Sequence, residues 1–261
     1  MSIPGTVWLS MWGAGEHPSD ADFTAVADCE VIRGVEIWTE HPRAEWEIEK
    51  AAQHGLQVGI HLPFHDLNPV SDDPVVAERA LQRNREWLRH LSRFGGVHAV
   101  LHGGYAASAA DRDAKLPRLV EVTAQLNAEA GELGIALLLE NLIPDALGYS
   151  HIMASSLAEW ATLVADAGCG AVLDTGHSAA SGISLHDVFD TLGPSVRAIH
   201  LSDNDGTSDL HLLPGDGNDV TADLDGILAG IGYDGVITYE ISPLRYSLDT
   251  IIARITADAS G

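Results

Sequence analysis

The 261-residue chain contains few cysteines and no long apolar run. Its two cysteines, Cys29 and Cys169, stand in no paired spacing, which argues against a disulfide framework and against a thiolate metal site. We predict that both are buried as small apolar side chains. No apolar stretch approaches the roughly 18 residues of a membrane span, and the amino terminus has no secretion-like segment. We therefore predict a cytoplasmic protein without a membrane partner.

Positive charge is also scarce. Lys and Arg total 14 against 38 Asp and Glu, which gives a formal net charge of −24. A nucleic-acid-binding surface needs clustered basic residues to neutralise phosphates. Only Lys50 and Lys115 carry an ammonium, and the densest arginine run, from Arg79 to Arg93, has the spacing of a solvated helix face. We predict a small-molecule substrate rather than a nucleic-acid partner, with a homo-oligomer left open. A second interpretation of the imbalance is adaptation to high salt.

Short apolar runs alternate with segments of helical periodicity along the whole chain. Eight strands are predicted: Val7–Ser10, Val35–Trp38, Val58–His61, Ala99–His102, Ile135–Glu140, Ala171–Asp174, Ala198–Leu201 and Val236–Glu240. Predicted helices include Ala44–Ala52, Pro74–Phe94 and Leu116–Leu133, and another begins after Ser155 and Ser156 with an N-cap and a capping box to Glu159. Sequential right-handed crossovers place all eight strands in one sheet, so residues 1–261 are predicted to form a single (β/α)8 TIM barrel domain.

Most of these apolar runs end on an imidazole or a carboxylate. The residues at the ends are His61, His102, Glu140, Asp174, His200 and Glu240. Three more candidates stand close by in the sequence, since His177 follows Asp174 by three residues and Asp209 and His211 share a later loop. The carboxyl ends of barrel strands meet on one face, so we expect these nine side chains to converge there. An uncompensated acid at the end of a buried strand is too costly to be incidental.

The types of side chain indicate the chemistry. Imidazoles and carboxylates without thiolates suit zinc, manganese, cobalt or iron, whereas a purely oxygen set would suit magnesium or calcium. Nine groups exceed what one four- to six-coordinate ion can use. We therefore predict one to three divalent ions, zinc or manganese first, with a carboxylate such as Glu140 bridging two of them.

Other polar residues have a less definite place. Glu36 lies within a predicted strand, so a contact in the pocket and a polar contact inside the barrel both remain open. His65 lies just past the third strand and is a candidate to line the pocket. Together with His102 and His177, these two form the predicted substrate-binding set. Isolated histidines are predicted at the surface or at helix ends: His54, His90 and His151.

The sequence resembles the superfamily of xylose-isomerase-like TIM barrels, which joins sugar-phosphate isomerases and epimerases to the endonuclease IV family. The resemblance rests on strings from the third strand to the last: IHLPF at 60–64, LHGG at 101–104, LEN at 139–141, LDTGH at 173–177, HLSD at 200–203, DLHLLPGDG at 209–217 and YE at 239–240. Each string alone is weak, but the combination is specific. It implies the barrel fold and a metal-dependent enzyme.

The two branches imply different uses of the same residues. In isomerases, the positions that match Glu140, Asp174, His200 and Glu240 hold one metal, and those that match Glu140 and Glu240 form the acid and base pair, transferring a proton through a metal-stabilised enediolate. In the endonuclease IV branch, the resemblance implies three zinc sites: His61, His102 and Glu140; Glu140, Asp174, His200 and Glu240; and His177, Asp209 and His211.

The net charge of the chain favours the isomerase branch, whereas the number of candidate metal ligands favours the nuclease branch. A charge of −24 opposes approach to DNA, whereas Asp209 and His211 complete a third site that one-metal isomerases lack. An arginine that some ketose epimerases place after the seventh-strand histidine is absent from residues 200–217. We predict an isomerase or epimerase of a small sugar, sugar phosphate or polyol. The alternative is a multi-zinc phosphodiesterase of endonuclease IV type, acting on abasic DNA or a smaller phosphoester. A third interpretation is a non-enzymatic metal-binding barrel.

Overall fold

Ten strands and nine α-helices are found in the computed structural model, which describes residues 5–145 and 151–260. The strands are β1 (Thr6–Ser10), β2 (Gly34–Trp38), β3 (Gln57–His61), β4 (His98–Leu101), β5 (Tyr105–Ala106), β6 (Ala136–Glu140), β7 (His151–Ile152), β8 (Gly170–Asp174), β9 (Val196–Leu201) and β10 (Val236–Tyr239). The helices are α1 (Asp20–Asp28), α2 (Ala44–Gln53), α3 (Pro74–Ser92), α4 (Ala109–Glu132), α5 (Leu157–Ala167), α6 (Thr175–Ala180), α7 (Leu185–Leu192), α8 (Leu224–Ile231) and α9 (Leu248–Ser260).

Eight of the strands close into a parallel barrel in the order β1, β2, β3, β4, β6, β8, β9, β10, and β10 pairs with β1 through the register of Thr6 with Val236. The predicted (β/α)8 barrel is confirmed, and every predicted strand lies within two residues of its observed bounds. The short strands β5 and β7 form a separate antiparallel pair. Within the described ranges, each helix is too short or too polar to cross a lipid bilayer.

Helix ends differ from the prediction in two places. Helix α4 begins at Ala109, where Ser108 caps it by accepting a hydrogen bond from the Asp111 amide, so the predicted start at Leu116 is seven residues late. Pro117, a residue typical of a first turn, lies inside that helix. Ser156 caps α5 as predicted, but the capping box is wrong because the Glu159 carboxylate accepts from the Ala154 amide instead.

Several other predictions about the surface can be compared with the structure. Cys169 is buried as predicted, whereas Cys29 is half-buried, its Sγ atom lying 3.6 Å from Thr256 Oγ1. On α3 most of the arginines face solvent, but Arg85 Nε donates across to Glu129 on α4 at 2.8 Å. The isolated histidines lie where they were expected, at or near the ends of elements: His54 follows α2, His90 is in the last turn of α3 and His151 begins β7.

The apolar core has two parts, one outside the barrel and one inside. The larger part fills the space between the strands and the helices. The inner part is a small cluster of Val100, Leu138, Val172 and Ala198, packed against Val236. These residues occupy the inward face of their strands, and side chains two residues further along each strand point to the same face. The inward face therefore continues directly into His102, Glu140, Asp174 and His200 at the carboxyl end of the barrel.

Candidate metal centre

All nine predicted ligands lie together at the carboxyl end of the barrel. They form three groups in which ligand atoms lie within 4.8 Å of one another: His61, His102 and Glu140; Glu140, Asp174, His200 and Glu240; and His177, Asp209 and His211. We call these the histidine pair group, the strand centre and the loop cluster. The strand centre is fully buried, and Glu140 belongs to both it and the histidine pair group.

The strand centre is organised around the His200 ring. His200 Nδ1 lies 3.1 Å from Glu240 Oε2 and 3.4 Å from Glu140 Oε1. Glu240 follows β10, which is paired with the His200 strand β9, and Glu140 ends β6, which lies on the other side of β9 beyond β8. Asp174 ends β8, and its Oδ1 accepts the His177 amide as the N-cap of α6. One turn of chain thus presents both Asp174 and His177, as their spacing predicts.

The other two groups extend the strand centre in different directions. Glu140 turns its second oxygen, Oε2, toward the histidine pair, at 3.3 Å from His61 Nε2 and 3.1 Å from His102 Nε2. In the loop cluster, Asp209 lies between two imidazoles, with Oδ2 at 3.3 Å from His177 Nε2 and Oδ1 at 3.1 Å from His211 Nε2. Glu140 and Asp209 therefore each have both oxygens directed at imidazole nitrogens.

Four of the imidazoles are oriented by a hydrogen bond from one ring nitrogen. This nitrogen faces away from the ligand groups except in His177, whose Nδ1 also lies 3.3 Å from Glu140 Oε1. Backbone carbonyls accept three of these bonds: Leu62 from His61 (3.0 Å), Asn141 from His177 (2.8 Å) and Glu240 from His211 (3.0 Å). The fourth bond runs from His200 Nε2 to Glu36 Oε2, at 3.3 Å. Metal-binding histidines characteristically donate their second N–H in this way, which fixes the ring and directs the free lone pair at the ion.

Two buried polar atoms of the strand centre lack hydrogen-bond partners, namely Asp174 Oδ2 and His200 Nδ1. A buried polar atom without a partner costs roughly 1–3 kcal/mol, so native structures leave few of them. Both atoms are good ligands for a divalent cation, and both belong to one group of converging nitrogen and oxygen donors. The residues present therefore fit a bound divalent metal, and no thiolate belongs to any of the three groups.

The carboxylates and imidazoles of the site shift one another's pKa values. Burial alone would raise the pKa of Glu140, but the charges of His200 and His102 outweigh it and hold that pKa well below its ordinary value. Burial opposes ionisation of His177, yet the carboxylates around it, Asp174 first among them, raise its pKa well above the ordinary value. The same opposition raises the pKa of His211 to about 9. The carboxylates of the site therefore favour positive charge beside them.

Comparison with known proteins agrees with this geometry. The sequence model of the xylose isomerase-like TIM barrel matches residues 23–254. The chain belongs to this family. An uncharacterized protein of Methanocaldococcus jannaschii is 26% identical to this family member over 254 residues, which cover 93% of this chain and 82% of that protein. A probable endonuclease 4 of Mycobacterium tuberculosis is 26% identical over 197 residues, covering 72% and 74%. A D-tagatose 3-epimerase-like protein of known structure shares the fold, with a TM-score of 0.81 at 22% identity over 98% of both chains.

The loop cluster of this xylose isomerase-like barrel is held by a buried residue to which the sequence assigned no role. Asp203 follows β9 and is fully buried. Its carboxylate accepts five backbone N–H groups, which belong to Asn204, Gly215, Gly217, Asp219 and Val220. These bonds close the loop that carries Asp209 and His211, and a short bridge between Asp203 and Leu212 reinforces it. The glycine-rich string at 215–217 was the available signal, since it supplies two of these amides.

Asn141 is a second residue whose role appears only in the structure. It follows Glu140, and its side chain accepts the Asp174 amide at 2.7 Å and donates to the Asp174 carbonyl at 3.1 Å. Its own carbonyl accepts from His177 Nδ1. Asn141 therefore ties β6 to β8 and orients one ligand of the loop cluster.

An aromatic wall stands beside the metal groups of this family member. Trp12 and Trp38 are stacked at 4.9 Å between ring centroids and only 5° from parallel. Trp38 Nε1 donates to Glu240 Oε1 at 3.1 Å, and Trp12 meets the His211 ring edge-on. Phe64 lies across from them, 4.2 Å from the His102 ring. These apolar surfaces were not predicted as part of the site, because the tryptophans come from separate segments of the chain.

Two predicted substrate-binding residues lie at opposite depths. Glu36 points into the barrel and is fully buried, and its carboxylate contacts His98 and His200. Of the two alternatives left open by the sequence, the polar contact inside the barrel is therefore the one observed. The His65 side chain is 64% exposed at the rim, and its Nδ1 atom lies 2.8 Å from Glu40 Oε2. His102 and His177 face the centre directly, as described above.

Proposed function

We propose that this protein is a metal-dependent isomerase or epimerase of a small sugar, sugar phosphate or polyol. The observation that carries the proposal is the pair of buried carboxylates, Glu140 and Glu240, which converge on His200 within one four-residue group of metal donors. The structural similarity to a D-tagatose 3-epimerase-like protein supports this class of reaction. The excess negative charge of the chain is consistent with a small substrate that enters the barrel mouth.

A divalent ion held by Glu140, Asp174, His200 and Glu240 would polarise adjacent carbonyl and hydroxyl oxygens of the substrate and acidify the C–H bond between them. Burial would favour the protonated form of Glu240, but the charge of His200 outweighs burial and lowers the Glu240 pKa, so this carboxylate is kept as a proton acceptor. In the proposed reaction Glu240 removes the proton from carbon, and Glu140 takes up a proton from solvent and returns it to carbon. In an epimerase the second transfer reaches the opposite face of that carbon.

The aromatic wall would serve the same reaction by positioning and by excluding water. Stacked Trp12 and Trp38 present a flat apolar surface next to Glu240, and the Trp38 indole N–H holds that carboxylate by one oxygen. The C–H face of a sugar packs well on such a surface. The other oxygen of Glu240, Oε2, lies on the side of the strand centre, 3.1 Å from His200 Nδ1.

Solvent deuterium exchange tests the proposal. Wild-type protein loaded with zinc or manganese is incubated in D₂O with a panel of free and phosphorylated ketoses, and mass spectrometry reports deuterium bound to carbon. We expect incorporation by the wild type and its loss in Glu240→Gln. Glu47→Gln is the matched control, because Glu47 is equally buried and paired with His41 at 3.1 Å but belongs to no metal group. Retained exchange in Glu240→Gln would contradict the proton-transfer role.

A second candidate function, a multi-zinc phosphodiesterase, is favoured by one specific observation. Glu140 directs one oxygen to each of two groups, and the loop cluster supplies a third set of donors, so the site has ligands for three ions. A relative named as a probable endonuclease 4 supports the same candidate. Incision of an abasic duplex and hydrolysis of a small phosphodiester at low salt are the assays. Metal-dependent turnover of either, without carbon exchange on any ketose, would replace the isomerase proposal.

A further inference from the structure

A polar layer lies inside the barrel directly beneath the strand centre. It contains Glu36 from β2 and His98 from β4, with the Trp8 ring stacked on His98 at 5.0 Å between centroids. Two glycines make room for these rings. A Cβ atom at Gly34 would lie 2.4 Å from the Trp8 ring, and one at Gly59 would lie 2.6 Å from His98 Nε2. The sequence therefore leaves space in the barrel for an imidazole, where most barrels place an apolar side chain.

Glu36 joins this layer to the metal centre. One carboxylate oxygen, Oε2, is hydrogen-bonded to both imidazoles, at 2.9 Å from His98 Nε2 and 3.3 Å from His200 Nε2. The other oxygen, Oε1, lies 3.1 Å from His200 Nε2. The opposite nitrogen of the His200 ring, Nδ1, faces Glu140 and Glu240 and has no hydrogen-bond partner of its own. The His200 ring is thus held from below at one nitrogen and presents the other nitrogen to the site.

Contact with substrate does not explain Glu36. Its side chain has no exposed surface, and the His98 and His200 side chains that cover it are 3% and 0% exposed. An isolated buried carboxylate is costly, so an acid retained at this depth needs partners that compensate it. Both partners are imidazoles, and one of them is a donor of the strand centre.

We propose that Glu36 is a positioning residue that holds His200 with Nδ1 directed at the metal, and that His98 holds Glu36 in place. The arrangement is a carboxylate, an imidazole and a metal site in series, built from β2, β9 and the carboxyl end of the barrel. Removing such an outer carboxylate typically lowers metal affinity or activity 10–100-fold. The inference depends on the proposed metal centre and not on the class of reaction that occurs there.

Zinc titration against a chelating dye tests the inference without any substrate. Anomalous scattering at the zinc edge assigns each equivalent of ion to its group. We expect Glu36→Ala to weaken zinc binding at the strand centre about 10–100-fold. Glu36→Gln keeps an acceptor oxygen and is expected to restore part of that loss. In cobalt-substituted protein, the visible absorption of the strand centre should shift in both variants, because the imidazole geometry changes.

Glu47→Gln is the matched control, since it alters a buried carboxylate that is paired with a histidine at the same 3.1 Å but belongs to none of the three ligand groups. It is expected to bind zinc and to absorb as the wild type does. Thermal unfolding of all variants separates misfolding from an effect on the metal, and Glu36→Gln, the isosteric change, remains informative if Glu36→Ala does not fold. Unchanged zinc affinity and cobalt spectrum in Glu36→Gln and Glu36→Ala would overturn the inference, as would a raised KM with unchanged zinc affinity. Failure of the wild type to bind zinc would instead remove the metal centre itself.

Discussion

The strand centre and the loop cluster use the same kinds of donor but are held in different ways. The four donors of the strand centre stand on or next to barrel strands, and their side chains are at most 3% exposed. The loop cluster takes Asp209 and His211 from a loop, and the Asp209 side chain is 37% exposed. Backbone hydrogen bonds of the whole barrel fix the first group, whereas the second depends largely on one buried carboxylate, Asp203.

This difference separates what the fold supplies from what the loop adds. A closed parallel barrel delivers strand-end side chains to one face whatever its loops do, so the strand centre is a property of the architecture. A loop is variable in length and sequence, and binding or catalytic residues concentrate there for that reason. In the two proposed functions, the loop from residue 203 to residue 220 is the part that differs in use, because it supplies donors for a third ion only in phosphoester hydrolysis.

The largest expected effect comes from Glu140, which the strand centre shares with the histidine pair group. Glu140→Gln removes a charged ligand from both groups and, in the proposed reaction, one of the two proton-transfer residues. We expect kcat/KM to fall roughly 10²- to 10⁴-fold, with loss of ions from both groups by elemental analysis, and retention of the fold by circular dichroism. Full metal content with Glu140→Gln would show that the two groups do not depend on a shared carboxylate.

Asp203 provides the next largest effect and separates the two regions most directly. Asp203→Asn keeps the shape of the side chain but replaces one acceptor oxygen with a donor, so several of the five backbone N–H groups lose their partner. We expect a loss on the order of 3 kcal/mol in the free energy of unfolding, measured with urea. Metal at the loop cluster should be lost first, while the strand centre keeps its ion. Equal loss of metal from the loop cluster and from the strand centre would contradict the independence of the two groups.

The strand centre is also the part of the site that was most predictable from sequence. An apolar run that ends in an imidazole or a carboxylate is a local pattern, and the barrel brings six such endings into one cluster, so Glu140 and Asp174 could be assigned before any coordinates. The inward orientation of the Glu36 side chain could not be assigned from sequence. Successive side chains of a strand point to opposite faces, and the sequence did not show which face Glu36 is on. The start of α4 was missed because Pro117 was compatible with a first helical turn.

The loop cluster was harder to predict, because its residues are not marked by a local sequence pattern. Asp209 and His211 stood out only as part of a string that resembles a family, since no periodicity applies to an irregular loop. Asp203 had no predicted role, because its partners are backbone amides up to 17 residues away, and any residue type supplies an amide. The stacking of Trp12 on Trp38 joins two strand ends and likewise required the closed barrel.

A smaller effect should distinguish the two proposed reactions. Asp209→Asn weakens the loop cluster but touches none of the four strand-centre donors. If the protein transfers protons at the strand centre, we expect carbon exchange on a ketose to fall by about tenfold or less, the scale of a disturbed outer contact. If all three groups act together on a phosphoester, hydrolysis should fall by orders of magnitude. Ser208→Ala, a change of a half-buried side chain in the same loop, is the control for general disturbance of the loop.

The smallest effect is the dependence of metal affinity on pH, which should differ between the regions. Carboxylates raise the pKa of His177 and His211 in the loop cluster, the latter to about 9, and likewise raise the pKa of His200 in the strand centre. A metal binds only neutral imidazole, so binding near pH 7 releases these protons and affinity rises with pH up to the raised pKa. The loop cluster has two such imidazoles and the strand centre has one. Calorimetry in buffers of different ionisation enthalpy should therefore count about two protons released per ion at the loop and about one at the strands. Equal proton release would mean that the two sites are electrostatically alike, despite their different burial.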